Sequence, residues 1–261
     1  YKTTEAMLRY FINKALGGMR VFRPEVMVAV PGGITSTERR AVIDAAISAG
    51  AKSAYIVKQP LVAAIGANIP IGSPSGHMII EIGGGTSEMA VISLGGIVSS
   101  DSVRIGGVKF DAAITEHIRR NYNLAIGERT AEDIKCRVGS AVRHSGPKIA
   151  VKGQDMITGI PKTIEVSSDE IRQALSETIF QITTAIRNAL DKTPPEHSSD
   201  IIDFGIILTG GGALLKDLDM HIRNKTNLPV NVAEDPLLSV VKGTGLVLED
   251  IKKFKEVLIQ P

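Results

Sequence analysis

The spacing of apolar residues along the chain predicts alternating helices and strands. Residues 5–15 repeat apolar side chains at i, i+4 and i+8, which is typical of a helix. Residues 26–30 form an unbroken run rich in β-branched side chains, which predicts a strand buried on both faces. Thr35 and Glu38 form a capping-box pair that begins a second helix, and a further strand and helix follow over 54–67. This order predicts an α/β fold with parallel strand pairing.

A glycine triplet divides two apolar runs within residues 79–92. Gly83, Gly84 and Gly85 separate the two runs, and Thr86 follows them. Because the second run is β-branched and has no helix-start signal, the triplet is predicted to form the tip of a β-hairpin, unlike a P-loop. Glycines remove every Cβ that would block a ligand, and their N–H groups can converge on an anion. The pattern therefore predicts a nucleotide site in which a hairpin turn holds the phosphates.

A second glycine triplet lies far along the chain. Between the triplets, the sequence predicts a strand at 97–103, a helix at 111–122 and a polar, irregular stretch at 127–165, which we interpret as a small subdomain. A capping box of Ser167 and Glu170 then opens a long amphipathic helix, and a strand follows at 206–209. Beyond the second triplet, the predicted elements are a helix from Ala213 to about Lys225, a strand at 230–233 and a C-terminal helix after 240. The strand at 206–209 runs into Gly210, Gly211 and Gly212. Tight turns also use glycine for steric reasons. Two such turns nevertheless suggest two loops that face each other across an interdomain gap and share one nucleotide.

Composition narrows the class of protein. The chain has 261 residues, of which 43% are hydrophobic and 22% charged, and these values are ordinary for a globular protein. The net charge of +2 does not indicate a nucleic-acid partner. Cys136 is the only cysteine, so no intrachain disulfide can form, which suits a reducing cytoplasm. The five histidines show no ligand spacing, and no arrangement typical of a hydrolase triad is present.

Taken together, these motifs resemble the actin-like ATPase superfamily and, within it, the MreB family of bacterial rod-shape proteins. The resemblance rests on residues 30–35, 38–41, 60–67, 82–86, 90–96, 126–132, 208–212, 236–237 and 243–245. It implies an actin-like (ribonuclease H-like) α/β fold with two domains around a nucleotide cleft, the first domain incomplete. The implied boundaries are 1–74 and 236–261 for the first domain, 75–110 and 165–235 for the second, and 111–164 for a small subdomain.

The resemblance also implies which residues contact ATP. The second phosphate loop corresponds to Gly83, Gly84, Gly85 and Thr86, and the adenosine loop corresponds to Gly210, Gly211, Gly212 and Ala213. Glu132 and Lys135 match the region that contacts the ribose and base. The alternative for these two is a solvated helix face, since charged residues there are common.

Three positions bear on ATP hydrolysis. Glu81 lies where the family usually has an Asp that holds Mg²⁺ through water, and the longer Glu alters the metal geometry. Gln59 matches the residue that places the attacking water, and Thr86 joins it in the catalytic set. A neutral Gln is a poor general base, and Lys58 replaces the usual neighbouring acid, so slow hydrolysis is expected.

A membrane contact is implied by an apolar loop between two arginines. Met19, Val21 and Phe22 match a family loop thought to insert into the inner leaflet, while Arg20 and Arg23 would favour anionic headgroups. The alternative is that these apolar side chains pack under the next strand. The implied location is cytoplasmic, peripheral at the inner face of the cell membrane. The implied partners are further copies of the chain, that membrane and the cell-shape or cell-wall machinery.

The implied function is a cytoskeletal protein that binds ATP and Mg²⁺, polymerises into membrane-associated filaments and directs cell shape. One alternative is a filament scaffold with lost or very slow hydrolysis. A second is a small-molecule kinase, for which Glu81 and Glu88 are the available acids. A third is an Hsp70-like nucleotide domain, although that group lacks the run at 127–131. The family's first phosphate loop should precede the residues given, so the sequence as given predicts weak or no ATP binding.

Overall fold

The computed structural model describes residues 1–17, 23–143 and 146–259. Its strands are β1 (Glu25–Val30), β2 (Ser53–Lys58), β3 (His77–Ile82), β4 (Ser87–Ser93), β5 (Gly96–Val103), β6 (Leu124–Ala125), β7 (Lys148–Asp155), β8 (Pro161–Ser167), β9 (Ile206–Thr209) and β10 (Val230–Val232). Its α-helices are α1 (Lys2–Leu16), α2 (Ser36–Ser48), α3 (Gln59–Gly66), α4 (Gly107–Tyr122), α5 (Glu128–Val138), α6 (Ser168–Asp191), α7 (Pro195–Phe204), α8 (Leu218–Thr226) and α9 (Ser239–Glu249). Short 3₁₀ turns occupy Gly211–Leu214, Pro236–Leu238 and Lys255–Val257.

The first sheet confirms the predicted parallel pairing. β1 pairs with β2 in parallel, from Glu25 opposite Ser53 to Val30 opposite Lys58. The capping box of Thr35 is present in both directions at the start of α2. The prediction that β1 is buried on both faces is wrong, because only Val30 is buried. Among the described residues, β2 is the single strand that pairs with β1. A two-stranded sheet leaves β1 as an edge strand, so most of its side chains are only partly buried.

The second sheet carries both glycine triplets. Its strand order is β10-β9-β3-β4-β5, with β3 and β4 forming an antiparallel hairpin and β9 running parallel to β3. Every residue of β3 and β4 is buried. The prediction of a hairpin around Gly83–Gly85 is therefore confirmed. One face of this hairpin contributes Met78, Ile80, Met89 and Val91 to the larger core, which also contains the apolar stripes of α4 and α6.

The opposite face of the hairpin packs on α3. Ile79, Ala90 and Ile92 share a second core with the apolar residues of α3. This helix in turn crosses α9 without any side chain between the two backbones. A Cβ at Gly66 would lie 1.8 Å from the carbonyl oxygen of Ser239, and a Cβ at Gly243 would lie 1.8 Å from that of Val62.

The remaining elements differ in part from the predictions. Residues 127–165 are more regular than expected, since α5 and the β7–β8 hairpin occupy most of them. The capping box of Ser167 opens α6 as predicted. The helix α7 was not predicted, because the proline pair before it was interpreted only as an end of α6, although proline also favours the first turn of a helix. The helix predicted from Ala213 begins only at Leu218, after Asp217 in the left-handed conformation at φ 59°.

Candidate functional site

The two glycine triplets lie side by side at one edge of the second sheet. β3 and β9 are adjacent and parallel, with Glu81 opposite Thr209. A Cβ at Gly210 would lie 2.3 Å from the carbonyl oxygen of Ile82, and a Cβ at Gly212 would lie 2.2 Å from its Cγ2. The prediction that the triplets face each other across an interdomain gap is therefore wrong, since both end neighbouring strands of one sheet. The edge beyond the carboxyl ends of parallel strands is where α/β sheets bind ligands.

Backbone hydrogen bonds hold the hairpin loop on the side that faces α4, and its other side is open to solvent. Gly83 N–H donates to the Thr86 carbonyl at 2.9 Å, which closes the turn. The first turn of α4 donates backbone N–H groups to the carbonyls of Gly83 and Gly84 at 3.0 and 2.9 Å. Gly84 and Gly85 are exposed, and a Cβ on either would meet nothing within 4 Å. The loop therefore presents backbone to solvent without any side chain in the way.

The second loop needs its first glycine. Gly210 has φ 81°, and its N–H donates to the Pro236 carbonyl at 2.7 Å. Gly211 is packed by Leu237, whose Cδ1 would lie 3.2 Å from a Cβ there. Ala213 is buried within the 3₁₀ turn that follows. The residues after Pro236 therefore form one wall of this loop.

Two buried carboxylates face each other behind the hairpin tip. Glu81 and Glu88 are directly paired across β3 and β4 and are 4% and 3% exposed. Gly32 N–H, in the loop after β1, donates to Glu88 Oε2 at 2.9 Å. Burial, with a smaller contribution from the charge of Glu88, raises the pKa of Glu81 to about 7. Burial also raises the pKa of Glu88, and the Gly32 hydrogen bond partly opposes this.

Glu88 was not among the predicted nucleotide-site residues. The signal that could have found it is the hairpin register: with Ile82 opposite Ser87, positions 81 and 88 must be opposite. The bond to Gly32 joins the hairpin to the first sheet, and that contact is between segments 56 positions apart. Sequence spacing alone does not reveal it.

Gln59 and Glu81 present unpaired oxygens on the same side of the hairpin. Gln59 begins α3, and its Oε1 is buried with no hydrogen-bond partner among the described residues. Glu81 Oε2 is also buried and has no hydrogen-bond partner among the described residues. Glu81 alternates onto the face of β3 that carries Ile79, which packs on α3. Carboxylate and amide oxygens are of the type that Mg²⁺ prefers, directly or through water, although the described residues contain no group of three or more His, Cys, Asp or Glu side chains that could hold a metal ion.

Of the two residues predicted near the base and ribose, Lys135 lies beside the hairpin loop and Glu132 points to solvent. Lys135 Nζ is 2.8 Å from Asp111 Oδ1 and would lie 3.5 Å from a Cβ at Gly107, beside the hairpin loop. Glu132 is exposed on α5, as the solvated-face alternative expects. The structure therefore places the Lys135 ammonium at the start of α4, next to the hairpin loop.

The predicted membrane residues Met19, Val21 and Phe22 lie outside the described residues. In the described ranges, no helix combines the length and apolar character needed to cross a bilayer.

Comparison with known proteins gives consistent results. The model of the MreB/Mbl protein family matches residues 1–256. The cell shape-determining protein Mbl of Bacillus subtilis (strain 168) is 46% identical over 257 residues, covering 97% of this chain and 77% of Mbl. The cell shape-determining protein MreB of Escherichia coli (strain K12) is 47% identical over 251 residues, covering 95% of this chain and 72% of MreB.

Solved structures show the same fold. MreB5 of Spiroplasma citri bound to ADP superposes with a TM-score of 0.91 at 38% identity, covering 98% of this chain and 77% of that one. The same protein bound to AMPPNP superposes with a TM-score of 0.90 at 39% identity, covering 97% of this chain and 77% of that one. The MamK double helical filament superposes with a TM-score of 0.80 at 17% identity, covering 94% of this chain and 74% of that one. At this low identity the likeness shows a shared fold and nothing more. The predicted actin-like α/β fold is confirmed.

Proposed function

This chain belongs to the MreB/Mbl family, and we propose on that premise that it is a bacterial actin-like cytoskeletal protein that binds ATP, polymerises and directs cell shape. The observation that carries the proposal is the bare backbone of Gly84 and Gly85 beside the second glycine loop at one sheet edge. Relatives of this family are named for cell shape, and a solved relative binds ADP and AMPPNP.

We assign parts of this site to parts of the nucleotide as follows. Backbone N–H groups at Gly84 and Gly85 would meet phosphate oxygens, with Lys135 Nζ nearby as a positive charge. The glycines from Gly210 to Gly212, with Ala213 after them, would let the flat base or the ribose of the adenosine approach bare backbone. Glu81 and Gln59 would hold Mg²⁺ or its bound water, and that ion would neutralise charge on the phosphates.

Domain boundaries, membrane attachment and location belong to the same proposal. Residues 1–74 with 236–261 form the first domain, 75–110 with 165–235 the second, and 111–164 the small subdomain. Filaments lie at the inner face of the cytoplasmic membrane, attached through Met19, Val21 and Phe22, and engage the cell-wall machinery.

Sedimentation with ATP, a non-hydrolysable analogue or no nucleotide, with and without anionic vesicles, tests this function. Pelleting that ignores both nucleotide and vesicles would contradict it.

Replacing Gly85 with valine should weaken nucleotide binding while leaving the fold intact. The new side chain meets no protein atom within 4 Å of its Cβ, but it fills the space that a phosphate needs. We expect affinity for a fluorescent ATP analogue to fall at least about tenfold, which corresponds to about 1.4 kcal/mol. Gly72→Val is the matched control, because Gly72 is also exposed and unobstructed but lies before β3, at the end of that strand opposite to the hairpin loop. Equal affinity in both variants would refute the assignment of the phosphate loop.

A second candidate function is a filament scaffold that hydrolyses ATP very slowly or not at all. Gln59, Lys58 and Glu81 favour it, because each replaces the residue usual in the family with a poorer or longer group. Gln59→Glu should raise the rate of phosphate release about tenfold or more if the pocket is otherwise competent, since it restores a general base. Gln59→Ala should not raise it. An unchanged rate in Gln59→Glu, with ATP binding intact, would favour the scaffold.

A further inference from the structure

One face of the β3–β4 hairpin changes from apolar to acidic as it approaches the glycine loop. On this face Ile79 lies opposite Ala90, and both belong to the core that contains α3. The next pair on the same face, toward the loop, is Glu81 opposite Glu88. Like charges directly opposite each other destabilise a sheet, and burying them adds a desolvation cost. Stability therefore does not explain two carboxylates at this position.

Glu88 has a partner outside the hairpin, and that partner has to be a glycine. Gly32 N–H donates to Glu88 Oε2 at 2.9 Å, and a Cβ at Gly32 would lie 3.1 Å from the same oxygen. A contact that short is rare for a Cβ, so a side chain at position 32 would press on the carboxylate. Because Glu88 is buried, its carboxylate has little room to move away.

The loop that carries Gly32 lies across two neighbouring strands of the second sheet. A Cβ at Gly33 would be in ordinary contact with Ser102 Oγ, at 3.5 Å. Ser102 is the residue of β5 that lies opposite Glu88 of β4. The loop after β1 therefore rests on both strands, and the Gly32–Glu88 bond fixes its place on them.

The same bond fixes the edge of the first sheet from which Gln59 projects. β1 and β2 are in parallel register, with Val30 opposite Lys58. Gly32 is two residues beyond Val30, and Gln59 is one residue beyond Lys58. Both therefore leave the first sheet at one edge, so a bond that holds Gly32 on the hairpin also holds the start of α3.

The direction of α3 places Gln59 at the end of the hairpin that carries the carboxylates. A few residues after α3, the chain bonds to the turn between β4 and β5. Gly95 N–H donates to the Ile71 carbonyl at 2.7 Å, and Leu94 N–H donates to the Ser73 carbonyl at 2.9 Å. That turn is at the end of β4 opposite to the glycine loop. The first residue of α3 therefore lies toward the glycine loop.

We propose that Glu88 is a positioning residue of the nucleotide site, which holds Gln59 in place beside the hairpin loop through its bond to Gly32. The atom that this arrangement orients is Gln59 Oε1, which is buried and has no hydrogen-bond partner among the described residues. The inference rests on the proposed ATP-binding function, with Gln59 placing the attacking water. A misplacement of about 1 Å by a change far from the chemistry can slow a reaction about a hundredfold.

Glu88→Met should slow phosphate release at saturating ATP at least about tenfold, while affinity for a fluorescent ATP analogue changes less than about threefold. Methionine has a similar size but leaves the Gly32 N–H without an acceptor. Glu88→Gln keeps an amide oxygen that can accept the same bond, so it should retain at least about half of the rate. Equal loss of rate in the two variants, or a loss of affinity as large as the loss of rate, would overturn the proposal.

Gly32→Ala tests the bond from its other side. Its Cβ would press on the Glu88 carboxylate, so the rate should fall about threefold or more, and adding it to Glu88→Met should lower the rate no further. Gly33→Ala is the matched control, because its Cβ meets Ser102 Oγ at an ordinary distance and neither glycine has a positive φ. This control should keep the full rate. Additive effects of Gly32→Ala and Glu88→Met would contradict a shared bond.

Hydrogen exchange tests the bond without ATP. In peptic peptides that span the loop after β1, the Gly32 amide should exchange at least about tenfold faster in Glu88→Met than in the unsubstituted protein or Glu88→Gln. Unchanged exchange would overturn the proposal whether or not ATP binds.

Failure of the proposed function gives a different result. If the unsubstituted protein does not bind the ATP analogue, the proposed function fails, and the exchange rates still decide whether Glu88 holds the loop. If ATP binds but neither the unsubstituted protein nor Gln59→Glu releases phosphate, the role of Glu88 in positioning Gln59 is overturned and ATP binding stands.

Discussion

Replacing Gly243 with alanine is expected to destabilise the protein by about 3 kcal/mol, at the upper end of the usual cost of overpacking. The added Cβ would lie 1.8 Å from the Val62 carbonyl oxygen and 2.9 Å from the Gly66 nitrogen. Both are backbone atoms inside α3, so no side-chain rotation can relieve the clash. The helices must separate, although α3 is buried along most of its length in the second core.

Urea unfolding followed by circular dichroism measures this effect. The matched control is Gly245→Ala in the same helix, where an added Cβ meets nothing within 4 Å. That substitution should stabilise the protein by up to about 1 kcal/mol, because alanine favours a helix over glycine. Equal stability of the two variants would mean that α3 and α9 do not cross at backbone contact.

Stability without nucleotide or Mg²⁺ should fall as the pH rises from about 4.5 to about 7. The pKa of Glu81 is raised in the folded state from its ordinary 4.5 to about 7. Between these values the folded protein binds more protons than the unfolded chain, so unfolding becomes easier as the pH rises. The stability is fully present below the ordinary pKa and is lost as the pH passes the raised one. The shift corresponds to about 3 kcal/mol.

Glu81→Gln removes this titration and should flatten the profile. The comparison is the free energy of unfolding at pH 5 and pH 8 in EDTA, where the fall in the variant should be smaller by about 2.5 kcal/mol. Glu88, whose pKa burial also raises, should leave a residual slope of the same sign. Glu132→Gln changes an exposed carboxylate and should keep the original profile. A Glu81→Gln profile as steep as the original would place the proton elsewhere.

The sequence predicted those elements whose signals are local. The capping boxes at Thr35 and Ser167 each need only four residues, and both form as predicted. The hairpin at Gly83–Gly85 follows from β-branched residues on both sides, and it too is confirmed. The helix α7 was missed because its opening prolines also fit the end of α6.

The arrangement of the site depends on pairing between distant segments. Whether the two glycine triplets lie side by side or opposite each other depends on β9 adding to β3, and these strands are more than a hundred residues apart. No periodicity in either strand encodes that choice. The same applies to the hydrogen bond from Gly32 to Glu88, which brings the loop after β1 to the buried acids. The predicted roles of Gln59, Glu81 and the glycine loops stay predictions.

The crossing of α3 and α9 also limits which second mutations could rescue a first. At Gly66 and Gly243 the space for a methyl group is already occupied by main-chain oxygens of the opposing helix. Trimming a side chain there cannot make room, since none intervenes. A genetic screen for suppressors of Gly243→Ala should therefore recover no compensating change within α3 or α9, and revertants at codon 243 should dominate it.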